Sequence, residues 1–335
     1  MQLFQNVSLR PFNTFNLEAK AAYLALIEEP DEVSQAFYFA QDKQLPVLIL
    51  GGGSNLLFTR DFEGSILKIN FQGIRKIDED NYQVWLEVMA GTEWEDLIDY
   101  CVEHHFCGLE NLTLIPGKVG SAPIQNIGAY GREVKDVIEN VKAFDTKTQH
   151  SIIFQRDECH FAYRHSRFKE DKGRYVITSV IFRLEKRFQP LLSYEGLRKY
   201  LETRQIPVNL ENVRNAVRAI RQEKLPEVGK IGSAGSFFKN PVLSPEEWAR
   251  LESKAGMVPH FKSEQEIKVP AAWLIEQCGF KGLRRGDAGV WPGQPLVLVN
   301  YGNARGEEIL TLAREIMTAV ENQFGIRLEP EVNII

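Results

Sequence analysis

Residues 115–131 read Ile-Pro-Gly-Lys-Val-Gly-Ser-Ala-Pro-Ile-Gln-Asn-Ile-Gly-Ala-Tyr-Gly, and no other stretch constrains the fold as much. Gly117, Gly120, Gly128 and Gly131 loosen the backbone, Pro116 and Pro123 fix it, and Lys118 is the one charge. Such a run makes a poor helix and a poor strand. Long segments without regular structure inside compact domains are usually functional or disordered. Ile115, Val119, Ile124 and Ile127 argue against disorder. The reading that remains is a loop whose backbone is the working surface, with N–H groups and small side chains pressed against a ligand.

Composition sets the frame. A chain of 335 residues with 44% hydrophobic and 25% charged residues is long enough for two or three domains of an ordinary globular protein. A formal charge of −5 gives no general attraction to nucleic acid or an anionic membrane. No apolar run is long enough to span a bilayer, so membrane insertion is not expected. Met1-Gln2-Leu3-Phe4-Gln5 has neither a basic nor an apolar leader region, and a cytoplasmic protein is expected. Cys101, Cys107, Cys159 and Cys278 form no C-x-x-C pair and read as reduced thiols; with the histidines scattered too, no metal is expected.

Periodicity predicts helices at 32–44, 94–104, 194–203, 210–223, 245–256, 271–278 and 307–324. Strands are predicted at 22–27, 46–50, 65–70, 84–89, 174–184 and 295–300, with a hairpin joining 141–144 to 151–154 and an extended run at 327–335. The first half is strand-rich and the second helix-rich, which suggests an α+β protein with separate domains.

Chemistry gathers in five places. The buried strand 46–50 runs into Gly51-Gly52-Gly53-Ser54-Asn55, a setting in which consecutive N–H groups can hold an anion. It lacks the lysine of a P-loop, and Leu56 stands where a Rossmann fingerprint needs its third glycine. Paired with 115–131, this second glycine segment suggests a dinucleotide, its pyrophosphate on one segment and a flat ring against the other. In Gly232-Ser233-Ala234-Gly235-Ser236-Phe237-Phe238-Lys239-Asn240-Pro241, Ser236 is either a proton donor in an apolar setting or a local hydrogen-bonder in a turn; a hydrolase nucleophile elbow is unsupported. Arg164, set among aromatics in Phe161-Ala162-Tyr163-Arg164-His165, can grip a carboxylate or phosphate. In Leu328-Glu329-Pro330-Glu331-Val332 the two glutamates share one face if the segment is a strand.

These motifs, in this order, resemble the UDP-N-acetylenolpyruvoylglucosamine reductase (MurB) family. The likeness also takes in Asn13-Thr14-Phe15, Gly108-Leu109-Glu110, Lys224-Leu225-Pro226 and Ala271-Ala272-Trp273-Leu274-Ile275-Glu276, and so nearly the whole chain. Ser193-Tyr194 ahead of a helix resembles the loop of the type I subgroup. The resemblance implies an FAD-binding PCMH/vanillyl-alcohol-oxidase-like fold of two α/β subdomains plus a separate α+β substrate-binding domain. The expected divisions are 17–187 for FAD (subdomains about 1–70 and 71–187), 188–325 for substrate, and 326–335 as a strand returning to the active site. It implies non-covalent FAD, NADPH as co-substrate, a monomer, and conversion of UDP-N-acetylglucosamine enolpyruvate to UDP-N-acetylmuramate for peptidoglycan.

By the same resemblance, Gly51, Gly52, Gly53, Ser54 and Asn55 bind FAD, with Ile115, Pro116, Gly117, Gly120, Ser121, Gln125, Asn126, Gly128, Ala129, Tyr130 and Gly131. Arg164, Ser236 and Glu331 are the catalytic positions, and Tyr163, Tyr194, Lys224, Asn240 and Gln294 lie near the UDP-sugar. Lys118 stands where a small or neutral residue is expected, and Trp291 where many relatives carry His. The chemistry asks for such a set. Hydride addition to the enolpyruvyl methylene puts negative charge beside a carboxylate, which needs a cation, a second polar clamp and a proton donor. Two rivals remain. A sugar or lactone oxidase of the same fold would share the glycine segments without needing the three catalytic residues together. A UDP-sugar-binding regulator would purify colourless.

Overall fold

The computed structural model describes every residue except Val228 and 263–265. The chain clusters into two compact units, one of 1–7, 21–52 and 63–222, the other of 8–20, 53–62 and 223–335.

The first unit carries two large sheets, besides the two-stranded ribbon of Gly128–Ala129 and Arg132–Glu133. One has four strands in the order Gln2–Ser8, Lys20–Ile27, Phe62–Ile69, Val47–Leu50. Its last two strands run parallel, with Val47 opposite Ser65. The other has five, in the order His150–Gln155, Ile138–Asp145, Tyr175–Glu185, Gln83–Met89, Ile74–Glu79, with antiparallel neighbours. Helix α1 (Glu32–Asp42) buries Val33, Ala36 and Ala40, and α2 (Trp94–Glu103) buries Trp94, Leu97, Ile98 and Cys101. These faces and the inner sides of the strands share one core, from Ala25 and Ile27 through Val84, Leu86 and Val88 to Val180 and Phe182. A short α3 (Arg167–Glu170) adds buried Phe168. Helices α4 (Glu195–Thr203) and α5 (Leu210–Lys224) bury Leu197 and Leu201 against Val213, Ala216, Val217 and Ile220, a small core of their own. Arg214 and Arg218 of α5 form ion pairs with Asp99 and Glu95 of α2.

The second unit has the three helices expected after residue 240 and, besides the strand expected at 295–300, short strands that the sequence does not reveal. Gly232–Ser236, Val297–Asn300, Ala288–Val290 and Arg284–Arg285 form an antiparallel sheet in that order, and Val242–Leu243, Ile267–Lys268 and Phe261–Lys262 form a smaller one. These strands are two to five residues long, too short to show a period. Around them pack α6 (Pro245–Ala255), α7 (Ala271–Gln277) and α8 (Gly306–Phe324). The early segment 8–20 is part of this unit. The buried side chain of Asn13 donates to the Leu9 and Leu17 carbonyls and accepts from the Leu17 N–H. Thr14 then exchanges backbone bonds with Gly53 and Ser233. The run 327–335 is extended, as expected, but only Asn333–Ile334 joins a strand, pairing parallel with Leu56–Leu57.

The four cysteines are free thiols. Burial pushes Cys107 and Cys159 up to about 12. Among the described residues no helix is long and apolar enough to cross a membrane.

Candidate functional site

In the first unit the strand Val47–Leu50 ends at Gly51-Gly52, and this end meets the loop 115–131. A Cβ on Gly52 would sit 2.8 Å from the Cα of Gly117, so two backbones touch where no side chain fits. The loop is laced to the turn ahead of α2. Val119 N–H donates to Thr92 O at 2.9 Å, Gly120 N–H to Ala90 O at 2.9 Å and Trp94 N–H to Gly117 O at 3.0 Å. Leu114, at φ 62°, starts the loop from a strained conformation. Both its peptide groups are held: Glu95 accepts its N–H at 2.6 Å, and Arg221 Nε donates to its carbonyl at 3.2 Å. Burial lowers the pKa of that guanidinium.

Further along, half-buried Gln125 precedes Asn126, whose side chain is wholly buried. It donates to Ala162 O at 3.1 Å and Glu133 at 2.9 Å, and accepts from Lys135 N–H at 3.1 Å. Its amide is therefore a brace within the loop. Gly128–Ala129 pairs with Arg132–Glu133, and the two residues between, Tyr130 and Gly131, have φ of 49° and 86°. Both signs are those of a type I′ hairpin turn. Burial raises the Tyr130 hydroxyl to about 12. Its ring stands edge-on to Tyr194 with centroids 5.0 Å apart. Asn111 binds the two segments by donating to Tyr130 O at 2.8 Å and Leu191 O at 3.0 Å.

Arg164 sits in a tight turn in which Ala162 and His165 exchange both backbone bonds at 3.1 Å. Its φ is 52°, a conformation that favours glycine at that turn position. Its guanidinium reaches Gly128 O at 2.8 Å and lies 5.5 Å from the Tyr163 ring centroid. Strain of this kind persists where the surroundings over-determine it, and it clusters at functional sites.

The second unit holds the other predicted residues. Asn55 Nδ2 donates to Glu331 O at 3.2 Å, and Asn333 N–H to Asn55 O at 3.1 Å. Ser236 and Glu331 lie on adjoining extended segments: Glu331 N–H donates to Phe237 O at 2.8 Å, and Phe238 bridges Pro330. Glu329, by contrast, is exposed and pairs with Lys239. The apolar setting expected for Ser236 is not formed by its neighbours in sequence. Phe237 and Phe238 are fully buried in the core, while Ser236 is exposed. A bulge places it there. Ser233 lies opposite Val299 and Ser236 opposite Val297, so one extra residue is accommodated, with Gly235 at φ 69°. Bulges commonly re-aim a side chain next to an active site. A Cβ on Gly235 would meet nothing within 4 Å, so Gly235→Ala isolates the backbone strain. It is expected to cost about 1–2 kcal/mol, read in a denaturation midpoint, and to slow any step that needs Ser236.

Lys224, Trp291 and Gln294 come together at one corner of this unit. Trp291 Nε1 donates to Lys224 O at 3.0 Å, and Gln294 N–H to Trp291 O at 3.2 Å. Asn240 Oδ1 accepts the Ala271 N–H at the start of α7, so this atom is committed to structure. Sequence reasoning passed over Glu95, Asn111 and Arg221, which hold the loop. Their partners are 19 to 107 residues away, and nothing local marks them.

The FAD binding domain family matches residues 21–149, and the UDP-N-acetylenolpyruvoylglucosamine reductase C-terminal domain family matches 226–335. Along its whole length the chain is 44% identical to the full UDP-N-acetylenolpyruvoylglucosamine reductase of Flavobacterium johnsoniae. It is 42% identical to that of Pseudomonas putida, with 100% of this chain and 99% of the relative covered. The structure of the Thermus caldophilus UDP-N-acetylenolpyruvylglucosamine reductase superposes with a TM-score of 0.70 at 26% identity, over 100% of this chain and 99% of the other. The chain therefore belongs to the UDP-N-acetylenolpyruvoylglucosamine reductase family, a flavoenzyme with the FAD-binding PCMH/vanillyl-alcohol-oxidase-like fold and FAD as its cofactor.

Proposed function

We propose that the protein reduces UDP-N-acetylglucosamine enolpyruvate to UDP-N-acetylmuramate at the expense of NADPH, as a cytoplasmic monomer. In this reading 17–187 holds FAD, 188–325 handles the UDP-sugar, and 326–335 returns to the active site. The residues fit the cofactor: Gly52 and Gly117 bring two glycine-rich backbones together where no side chain intervenes, the kind of surface that can hold an anion. Gly51, Gly53, Ser54, Asn55, Ile115, Pro116, Gly120, Ser121, Gln125, Gly128, Ala129, Tyr130 and Gly131 are assigned to the same cofactor, with Asn126 bracing the loop. Held by these segments, FAD would supply hydride transfer between NADPH and the enolpyruvyl methylene carbon.

The protein then has three tasks. Arg164 places a permanent cation against the substrate carboxylate, where charge accumulates as the double bond is reduced. Glu331 clamps the same group. A bare carboxylate would repel the enolate, so in this role Glu331 is either protonated or suitably paired when substrate is bound. Ser236 supplies the proton to carbon, which a weak acid does well only toward a strongly basic enolate. The observation that carries this reading is the bulge at Gly235, which turns Ser236 outward beside the segment bearing Glu331. The test is a pair of half-reactions. Flavin absorbance should bleach with NADPH and return with the enolpyruvyl substrate; efficient return with oxygen alone would favour an oxidase.

Lys224 and Tyr194 are assigned to the diphosphate of the UDP-sugar. The indole of Trp291 holds the Lys224 carbonyl. Trp291→Phe removes that donor, at a cost of about 0.5–1.5 kcal/mol of local stability. The expected result is a raised KM for the UDP-sugar in steady-state assays, with the rate of bleaching by NADPH unchanged.

A further inference from the structure

Beneath the Gly51 end of the glycine run lies a cluster of two lysines and one glutamate. Lys68, on the strand Phe62–Ile69, donates from Nζ to Gly51 O at 2.6 Å. Lys118 is buried, and its Cβ and Cγ lie 3.7 and 3.8 Å from where a Gly51 Cβ would be. Its Nζ forms an ion pair with Glu93, and the two backbones form a β-bridge. The Ser121 hydroxyl lies on the same side of Gly51 and donates to Lys118 O at 2.6 Å.

Stability alone does not account for this arrangement. Backbone bonds from Val119 and Trp94 already lace the loop to 90–94, and one Lys–Glu pair would be neutral. The second lysine adds a sequestered positive charge with no carboxylate of its own. Burial first, and then Lys118, push Lys68 down to about 8, against the weaker pull of Glu93. Glu93 balances one of the two charges, so among the described residues the cluster beside these backbones is one anion short.

We infer that Lys68 and Lys118 are the cations that receive the FAD diphosphate at Gly51–Gly52, with Glu93 as the anion that partly neutralises them in the free protein. This rests on the FAD site proposed above and adds residues to it. The sign of the linkage follows. Lys68 is depressed in the free protein, so it is charged below about pH 8 and neutral above. A bound dianion restores the charge, so FAD binding takes up a proton between that pH and the ordinary lysine range and weakens as pH rises through it.

The test is titration of the FAD-free protein with FAD, followed by flavin fluorescence at pH 7 and pH 9.5, with calorimetry in buffers of different ionisation enthalpy. Wild type is expected to take up a proton at the higher pH and to bind more weakly there. Lys68→Met and Lys118→Met should each weaken binding at pH 7 by roughly ten- to a hundredfold, and Lys68→Met should remove most of the pH dependence. Glu93→Gln should tighten binding severalfold at low salt, where a merely structural ion pair would loosen it. Proton-free binding of wild type with equal affinity at both pH values overturns the inference without using any variant, and leaves the FAD site standing. A Gly52→Val protein that binds FAD like wild type would instead overturn the site itself.

Discussion

Ser236→Ala is expected to bleach normally with NADPH and then to stay bleached when the enolpyruvyl substrate is added. In the proposed mechanism the hydroxyl would act only after hydride transfer to the substrate, so the reductive half-reaction should not involve it. General acid catalysis by a positioned side chain contributes about 10²–10⁴-fold, and the loss in substrate-driven reoxidation should fall in that range. Stopped-flow absorbance separates the halves. Because Ser236 is exposed and its flanking phenylalanines are the buried anchors, the substitution leaves the core untouched. A defect in bleaching would therefore mean that the role is wrong, since the fold is not at risk. Arg164→Lys offers a contrast. It keeps a charge but loses the guanidinium reach to Gly128 O, so it should disturb both the loop and the carboxylate clamp.

Gly52→Val is expected to yield colourless protein. Even the Cβ lands 2.8 Å from the Gly117 backbone, so the crossing of the two glycine segments must open. Overpacking of this sort costs about 1–3 kcal/mol, and here it falls on the surface proposed to hold FAD. The FAD dissociation constant should rise by roughly 5- to 150-fold, measured by fluorescence titration. The core of this unit takes in Val119, Ala122 and Ile127 of the loop but not Gly52 itself, so circular dichroism should show the sheets and the helices α1 and α2 retained.

Much of this was legible in the sequence because the elements that carry it declare themselves locally. Apolar residues at helical spacing mark α1, α2, α5 and α8, and a long run rich in β-branched and aromatic residues marks Tyr175–Glu185. The glycine segments announce a backbone surface because few other roles suit such residues. What was missed has one cause. Gln2–Ser8 and Ile74–Glu79 are edge strands, exposed almost throughout, so neither shows a buried face for a period of two to reveal. The short strands around Gly232–Ser236 are held by register with segments distant in the chain. Roles carried by distant partners were equally hidden. Asn126 is a brace within the loop, Asn240 gives Oδ1 to a helix start, and Lys68 and Glu93 matter only once Lys118 is beside them. Lys118 was visible as an oddity, and its partners supply the reason.

The most direct measurement is the visible spectrum of the purified protein through one turnover without oxygen. The account predicts a flavin spectrum that NADPH bleaches and one equivalent of UDP-N-acetylglucosamine enolpyruvate restores, with UDP-N-acetylmuramate as the product. A flavin that NADPH reduces but that only oxygen reoxidises would contradict it.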